Sequence, residues 1–221
     1  MMSTNLWLIR HAIVAENERA TLYGVRDVQL CPDSLVAQVP MYQALAARLP
    51  RPAAWACTPL SRTRRTAEAI FAAGYPAQPL TVEPDLIEQN LGDFQGLPHS
   101  AVPPLLSAPA HPFWPLAGTE QPPNGESMAD VLVRVGPALD RIVRRHAGQD
   151  VVIVSHGGAI RAAVAHAMAI DADRALHLSI YNLSLTQLER LEEGWRVISV
   201  NELAGVWDIA STTLGNAIIR R

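Results

Sequence analysis

The sequence contains no lysine: all 18 of its basic residues are arginine. Without lysine the chain can form no Schiff base and has no phosphate-binding loop of the Walker type. Arginine is then the only fixed cation that can bind a phosphate or carboxylate group, and its forked guanidinium suits both.

Cysteine is scarce as well. Cys31 and Cys57 are the only two, which is too few for a disulfide framework and has no metal-ligand spacing. We interpret them as reduced thiols in a cytoplasmic protein. The chain reaches its first apolar run without a basic leader, and it has no run of about 20 apolar residues, the length that a membrane span needs.

The charge balance also excludes some partners. A formal net charge of -3 and a pI near 6.1 give no electrostatic basis for binding nucleic acid or an anionic membrane. At 221 residues the chain has the size of one domain with a full core, and we expect a single domain over residues 1–221. The oligomeric state is not indicated, and a homodimer stays open.

Short apolar runs alternate with helical patterns along the chain. This alternation is typical of βαβ units, and it predicts a three-layer α/β/α sandwich with a mostly parallel central sheet. Two further runs, joined by a turn at residues 192–194, predict a hairpin. The predicted strands span residues 5–9, 53–57, 79–83, 150–155, 183–191 and 195–200. The predicted helices span residues 41–49, 60–74 and 157–169, with a long amphipathic helix that opens near 125–127 and continues through Gly136-Pro137.

Proline is concentrated in one segment. Eight of the 17 prolines lie between Pro98 and Pro123, together with Phe113 and Trp114. Proline fixes φ and removes a backbone donor, so the segment is expected to be stiff and irregular. We interpret residues 98–125 as a lid or substrate wall, with a structural surface loop as the alternative.

Two of the apolar runs end on a histidine. The run 6–9 is followed by Arg10-His11, and the run 151–154 is followed by Ser155-His156. Ligands of open α/β sheets collect outside the carboxyl ends of the strands. The two histidines and the arginine therefore predict a site for an anionic group.

Four blocks of sequence carry a resemblance to a known family: Leu8-Ile9-Arg10-His11-Ala12, then residues 58–67 (TPLSRTRRTA), then residues 86–92 (LIEQNLG), then Val154-Ser155-His156-Gly157-Gly158. Together they resemble the histidine phosphatase superfamily, in its phosphoglycerate-mutase-like branch, from residue 6 to about residue 201. The resemblance implies the phosphoglycerate-mutase-like fold.

The resemblance also implies the roles of six residues. His11 would attack phosphorus and form a phosphohistidine. Arg10, Arg62 and His156 would hold the phosphoryl oxygens, and Asn17 falls where the family often places a phosphate-contacting Asn. Glu88 would protonate the leaving alcohol and then take a proton from water. The implied substrate is a small phosphorylated metabolite, the product is inorganic phosphate, and neither a metal nor a cofactor is implied.

Several alternatives remain. Phosphoglycerate mutases tend to follow the acidic residue with Arg-His-Tyr, whereas Glu88 precedes Gln89-Asn90-Leu91, which favours hydrolysis over mutase activity. Residues 124–127 resemble a block of the α-ribazole-phosphate phosphatases. Ala12-Ile13-Val14 replaces the family's usual Gly-Glu-Thr, which leaves a phosphate-binding pseudoenzyme open. A serine hydrolase built on Ser127 and a His/His/Glu metal site are weaker hypotheses, the former because prolines rather than a strand precede the serine.

Overall fold

The structure is a computed structural model, and it describes residues 3–203. The predicted domain over residues 1–221 therefore extends at both ends outside the described residues. Within them, the central sheet has six strands in the order β3-β2-β4-β1-β5-β6. The strands are β1 (Thr4–Arg10), β2 (Ala54–Cys57), β3 (Leu80–Val82), β4 (Asp150–Ser155), β5 (Ser184–Arg190) and β6 (Trp195–Leu203).

The first four strands are parallel, and the last two form the predicted antiparallel hairpin on one side of the sheet. The seven helices of the described part are α1 (Glu16–Arg19), α2 (Pro32–Ala37), α3 (Val39–Arg48), α4 (Ser61–Ala72), α5 (Met128–Arg145), α6 (Gly157–Met168) and α7 (Ala172–Ala175). The sequence did not predict α2, because its six residues carry no apolar periodicity.

The helices lie on both faces of the sheet. Side chains of α5 and α6 pack with one set of strand residues, which includes Leu6, Leu8 and Ile153. Side chains of α3 and α4 pack with the alternate set, which includes Ile9 and Val152. The mostly parallel α/β/α sandwich predicted from the sequence is thereby confirmed.

The inner strands owe their position to continuous apolar runs. The four residues from Val151 to Val154 are each at most 1% exposed, because β4 is covered on both faces. Full burial of an aliphatic side chain stabilises the fold by roughly 1.5–3 kcal/mol. In the β1–β4 pairing Arg10 lies opposite Ser155, so both strands end at the same edge of the sheet.

The long helix α5 begins with a capping box. The Ser127 hydroxyl accepts from the Asp130 backbone N–H, and the Asp130 carboxylate accepts from the Ser127 backbone N–H. The helix runs through Pro137 without a break, as its uninterrupted apolar stripe predicted. A Cβ on Gly136 would lie 2.6 Å from His166 Nδ1, so the glycine permits close packing against α6.

The proline-rich segment is irregular apart from two short 3₁₀ turns, His99–Ala101 and Pro103–Leu105. Val102 and Leu116 are fully buried in a small separate cluster that includes Phe94. The segment is therefore anchored to the domain by its own apolar contacts. None of the helices within residues 3–203 has the length and apolar character needed to cross a membrane.

Candidate active site

His11 follows the last residue of β1 and is fully buried. Its backbone N–H donates to Ser155 O at 2.9 Å, and its ring Nδ1 lies 2.7 Å from Ala12 O. A carbonyl oxygen can only accept, so Nδ1 carries the proton and Nε2 carries a lone pair. Nε2 is buried and has no hydrogen-bond partner in the described part of the chain.

His156 follows β4 and is the N-cap residue of α6. Its ring centroid lies 5.2 Å from that of His11, at an interplanar angle of 62°. Nε2 of His156 lies 2.8 Å from the Thr58 Oγ1 atom, whereas its Nδ1 is buried without a partner among residues 3–203. The parallel pairing of β1 and β4 thus brings the two predicted histidines together.

Both imidazoles are neutral at neutral pH. Burial lowers the pKa of His11 well below its ordinary value of 6.5, and the charges of Arg62 and Arg10 lower it further. Burial also lowers the pKa of His156 well below 6.5, followed by the charges of Arg62 and of His11. A neutral His11 keeps the Nε2 lone pair that a nucleophile needs.

Arg62 is a fully buried arginine on the first turn of α4. Its Nη1 donates to Arg26 O and its Nη2 to Gly24 O, each at 2.7 Å. These two carbonyls fix the plane of the guanidinium and leave Nε buried without a partner in the described residues. Arg64, two residues further along the same helix, is exposed.

Arg10 is the last residue of β1. Its Nη1 donates to Ile180 O, and its Nε is buried without a hydrogen-bond partner within residues 3–203. The charge of Arg10 acts on the pKa of His11, His156 and Arg62, which places it in the same cluster. Arg10 therefore adds a second guanidinium to this cluster.

Glu88 lies in the loop after β3 and is 9% exposed. Its Oε1 accepts from the backbone N–H groups of Gln89 and Gly158, each at 3.0 Å. Its Oε2 has no hydrogen-bond partner in the described part. Two backbone donors thus fix one carboxylate oxygen of Glu88 and leave the other without a hydrogen bond from residues 3–203.

An ion pair at the start of α5 holds the Glu88 loop. Arg134 donates to Asp85 O at 2.7 Å and to Glu88 O at 3.0 Å, while its Nη2 lies 2.7 Å from Glu126 Oε1. That same oxygen accepts from the Asn90 backbone N–H at 2.8 Å. The residues that resemble an α-ribazole-phosphatase block therefore position the proposed acid.

Ser127, the candidate nucleophile of the serine-hydrolase hypothesis, has a structural role. Its hydroxyl lies 2.8 Å from the Asp130 carboxylate within the capping box of α5. It follows a turn rather than a strand. A nucleophile elbow needs a strand that leads into the serine, so this hypothesis is wrong.

The site combines four buried nitrogen atoms that have no hydrogen-bond partner among residues 3–203: Arg10 Nε, His11 Nε2, Arg62 Nε and His156 Nδ1. A buried polar group without a partner costs about 1–3 kcal/mol. These four atoms, two from guanidinium groups and two from imidazoles, form a cradle that an oxyanion would satisfy. No three side chains of His, Cys, Asp or Glu within residues 3–203 are grouped to hold a metal ion.

Five of the six predicted site residues meet at this edge of the sheet, and Asn17 is the exception. It is exposed on the short helix α1 and makes no side-chain hydrogen bond within the described residues. Its predicted contact with phosphate remains a prediction.

Sequence reasoning missed two residues that hold the histidines. Asn182 donates to His11 O at 2.7 Å from 171 positions away, and Thr58 contacts His156. Thr58 opens the second of the four blocks, which could have revealed it. Nothing in the sequence marks Asn182.

The departure at residues 12–14 has a physical explanation. The Ala12 backbone N–H donates to Thr66 Oγ1 at 2.9 Å, and Val14 is 2% exposed within the apolar cluster that also contains Leu30. Of the two apolar residues that replace the usual Glu-Thr pair, Val14 thus contributes to the core, whereas Ile13 is only partly buried.

Fold and site together define an α/β protein with a histidine-bearing anion site at the carboxyl edge of a parallel sheet. The family model of the histidine phosphatase superfamily (branch 1) matches residues 6–203. The chain therefore belongs to the histidine phosphatase superfamily.

Several characterised proteins are similar to this chain. A metal-independent phosphoserine phosphatase of Arabidopsis thaliana is 28% identical over 201 residues, covering 89% of this chain and 82% of that protein. A glucosyl-3-phosphoglycerate phosphatase of Mycolicibacterium vanbaalenii is 30% identical over 182 residues, covering 78% of each.

The structure of a mycobacterial glucosyl-3-phosphoglycerate phosphatase superposes with a TM-score of 0.74 at 26% identity, covering 90% of this chain and 99% of that one. Some curated relatives are longer, and this chain covers only 37% of the length of three of them. The similarity to phosphatases over most of the chain supports the assignment of this protein as a phosphatase.

Proposed function

We propose that the protein hydrolyses a small phosphorylated metabolite through a phosphohistidine intermediate on His11. The observation that carries the proposal is the cradle of four buried nitrogens that find no partner in the described part of the chain, Arg10 Nε, His11 Nε2, Arg62 Nε and His156 Nδ1. One of them holds a lone pair and the others can present hydrogens to phosphoryl oxygens. This is the arrangement that in-line phosphoryl transfer needs.

In the first step His11 Nε2 attacks phosphorus. The N–P bond forms, the P–O bond to the alcohol breaks, and the alcohol oxygen takes the proton from Glu88 Oε2. The Ala12 carbonyl accepts a hydrogen bond from Nδ1–H of His11 at 2.7 Å, which fixes the tautomer. Arg10 and Arg62 stabilise the charge on the equatorial oxygens.

In the second step water attacks the phosphorus of phosphohistidine. Glu88 accepts a proton from that water, the N–P bond breaks, and inorganic phosphate leaves with the Glu88 proton restored. His156 donates a hydrogen bond from Nδ1 to a phosphoryl oxygen, because the Thr58 hydroxyl can donate to its Nε2 at 2.8 Å. The mechanism uses neither a metal ion nor another cofactor.

Hydrolysis fits the site better than mutase activity. Gln89 and Asn90, which follow the acid, both bond to Glu126 and supply no cation to hold a second phosphate. The similarity to phosphatases that are named for phosphoserine and for glucosyl-3-phosphoglycerate also supports hydrolysis. We propose residues 98–125 as the wall on the leaving-group side, since Trp114 stacks on Arg161 of α6 at 4.8 Å.

The experiment is hydrolysis of p-nitrophenyl phosphate with and without EDTA by the wild type and by His11→Ala. We expect turnover by the wild type alone, unaffected by EDTA. A matched pair, Arg62→Gln and Arg64→Gln, removes one guanidinium from the cradle and one from the exposed face of the same helix. We expect a large loss only for Arg62→Gln.

Rapid quenching of a reaction with a ³²P-labelled substrate tests the intermediate. The label should be recovered in wild-type protein as an acid-labile, alkali-stable adduct that is absent from His11→Ala. Appreciable turnover by His11→Ala would refute the nucleophile assignment. Binding of phosphate without turnover of any phosphomonoester would instead support a pseudoenzyme.

A further inference from the structure

Arg161 is a buried cation that the proposed chemistry does not use. It lies on α6 beside the site and is 8% exposed. Its Nε donates to Leu178 O at 2.8 Å, and its guanidinium stacks on the Trp114 ring at 4.8 Å. These two contacts fix the plane of the group and hold it against the proline-rich segment.

The outer nitrogens of Arg161 have no partner. Neither Nη1 nor Nη2 donates to an acceptor within residues 3–203, and no carboxylate in that range lies within ion-pair distance. Burial and then the charge of Arg10 lower the pKa of Arg161 to about 10, against the opposite effect of the Glu88 carboxylate, so Arg161 remains charged at neutral pH. The guanidinium is largely buried and forms no ion pair with a carboxylate within residues 3–203, and an incoming anion would supply one.

Arg161 adjoins the phosphoryl cradle. A Cβ placed on Gly157 would lie 3.3 Å from Arg161 Nη1 and 3.5 Å from Arg10 Nε, so the two guanidinium groups flank the same glycine. Arg10 belongs to the phosphoryl group in the proposed mechanism. Arg161 lies on the side that Trp114 covers, which is the side proposed above for the leaving group.

Aromatic rings continue this surface outward. His111 and Phe113 of the proline-rich segment pack with His177, with ring centroids 4.8 Å apart for His111–His177 and 5.2 Å for Phe113–His177. Phe113 is 64% exposed. These rings form an aromatic patch at the proline-rich segment, whose Trp114 stacks on Arg161.

We infer that Arg161 binds a carboxylate on the leaving group, so that the preferred substrates are phosphomonoesters of small hydroxy acids. Two free Nη groups on one guanidinium match the two oxygens of a carboxylate, which is a monoanion. A second phosphate on the leaving group would need more than one cation, and Arg161 is the only cation that this inference assigns to the leaving group. This inference deepens the proposed function and rests on it.

The test compares substrates that differ at one group. The pairs are 3-phosphoglycerate with glycerol 3-phosphate, and phosphoserine with phosphoethanolamine. For the wild type we expect kcat/KM to favour the carboxylate of at least one pair by about 10- to 100-fold, the effect of a charge-assisted hydrogen-bonded pair. A ratio near one for both pairs would overturn the inference without using any variant.

Three variants assign the preference to a residue. Arg161→Gln should bring the ratio close to one, and Arg161→Lys should keep part of it because the charge remains. Arg144→Gln is the control, since Arg144 is an exposed arginine in the last turn of a different helix, α5. A purely structural role for Arg161 would lower both members of a pair equally, and an unchanged ratio in Arg161→Gln would refute the assignment.

A binding measurement separates this inference from the proposed chemistry. In the His11→Ala background, isothermal titration calorimetry with the same pairs measures recognition without turnover. Tighter binding of the carboxylate compound that depends on Arg161, in a wild-type protein that hydrolyses nothing, would support the inference and refute the hydrolytic function. Equal dissociation constants for the two members of each pair, in a protein that is hydrolytically active, would refute the inference and leave the hydrolytic function intact.

Discussion

Gly158 gives the sharpest test of how the proposed acid is positioned. A methyl group on Gly158 would lie 2.4 Å from Glu88 Oε1, whereas ordinary contacts of a Cβ begin at 3.4 Å. The carboxylate would therefore have to retreat by about 1 Å and give up its 3.0 Å hydrogen bond from the Gly158 N–H. A displacement of this size costs roughly 100-fold in rate, or about 2.7 kcal/mol of transition-state stabilisation.

The fold should tolerate Gly158→Ala. The methyl meets the end of a flexible side chain, and the position lies in the first turn of α6, where alanine is the better helix former. We expect kcat/KM for p-nitrophenyl phosphate to fall about 100-fold while the melting temperature changes little. A loss of stability that matched the loss of activity would contradict this account.

A double-mutant cycle assigns the loss to one contact. In a Glu88→Ala background the carboxylate is gone and the methyl meets nothing closer than Gln89 Cβ at 3.8 Å. Adding Gly158→Ala there should cost no further activity. A second large loss in that background would refute the reasoning, as would a Gly158→Ala enzyme within about 3-fold of the wild type.

Three further predictions follow from the contacts of the site. Thr58→Val should lower kcat/KM about 10-fold, because it removes the hydroxyl that orients His156. Thr58→Ser keeps the hydroxyl and should keep kcat/KM near the wild-type value. Equal kcat/KM values for Thr58→Val and Thr58→Ser would contradict that role. Arg134→Met should lower kcat more than Arg141→Met, a control at an exposed ion pair, because only Arg134 also bonds the carbonyl of the proposed acid. The pKa values of His11 and His156 lie below 6.5 in the folded state, so below pH 6.5 the unfolded chain takes up protons that the folded one does not. The free energy of unfolding should then fall by up to about 1.4 kcal/mol per pH unit for each histidine, and urea unfolding of His156→Gln should show a smaller decrease than the wild type.

The inner strands could be predicted almost to the residue, whereas β6 runs three residues beyond the predicted 195–200. The run 150–155 is β4 itself, and 53–57 differs from β2 by one residue. A strand buried on both faces is a continuous apolar run with polar ends, so the sequence shows where it begins and ends. The short α2 carries no comparable pattern, and it was missed.

The site could be predicted where chain geometry alone assembles it. His11 and His156 each follow a parallel strand, and neighbouring parallel strands end at one edge. Thr58, Asn182 and Arg161 are different, because their contacts depend on how distant loops and helices pack. Asn182 reaches His11 across 171 residues, and periodicity carries no information about such a contact.

The arginines of the cradle meet two demands of the proposed chemistry at once. Phosphate binding needs fixed cations, and the attack needs a neutral imidazole at physiological pH. The charges of Arg62 and Arg10 lower the pKa of His11, in addition to the larger effect of burial. The groups that would hold the phosphoryl oxygens thus also keep the nucleophile unprotonated. Four nitrogens of the site have no hydrogen-bond partner within residues 3–203, a cost in stability that we propose a bound oxyanion offsets.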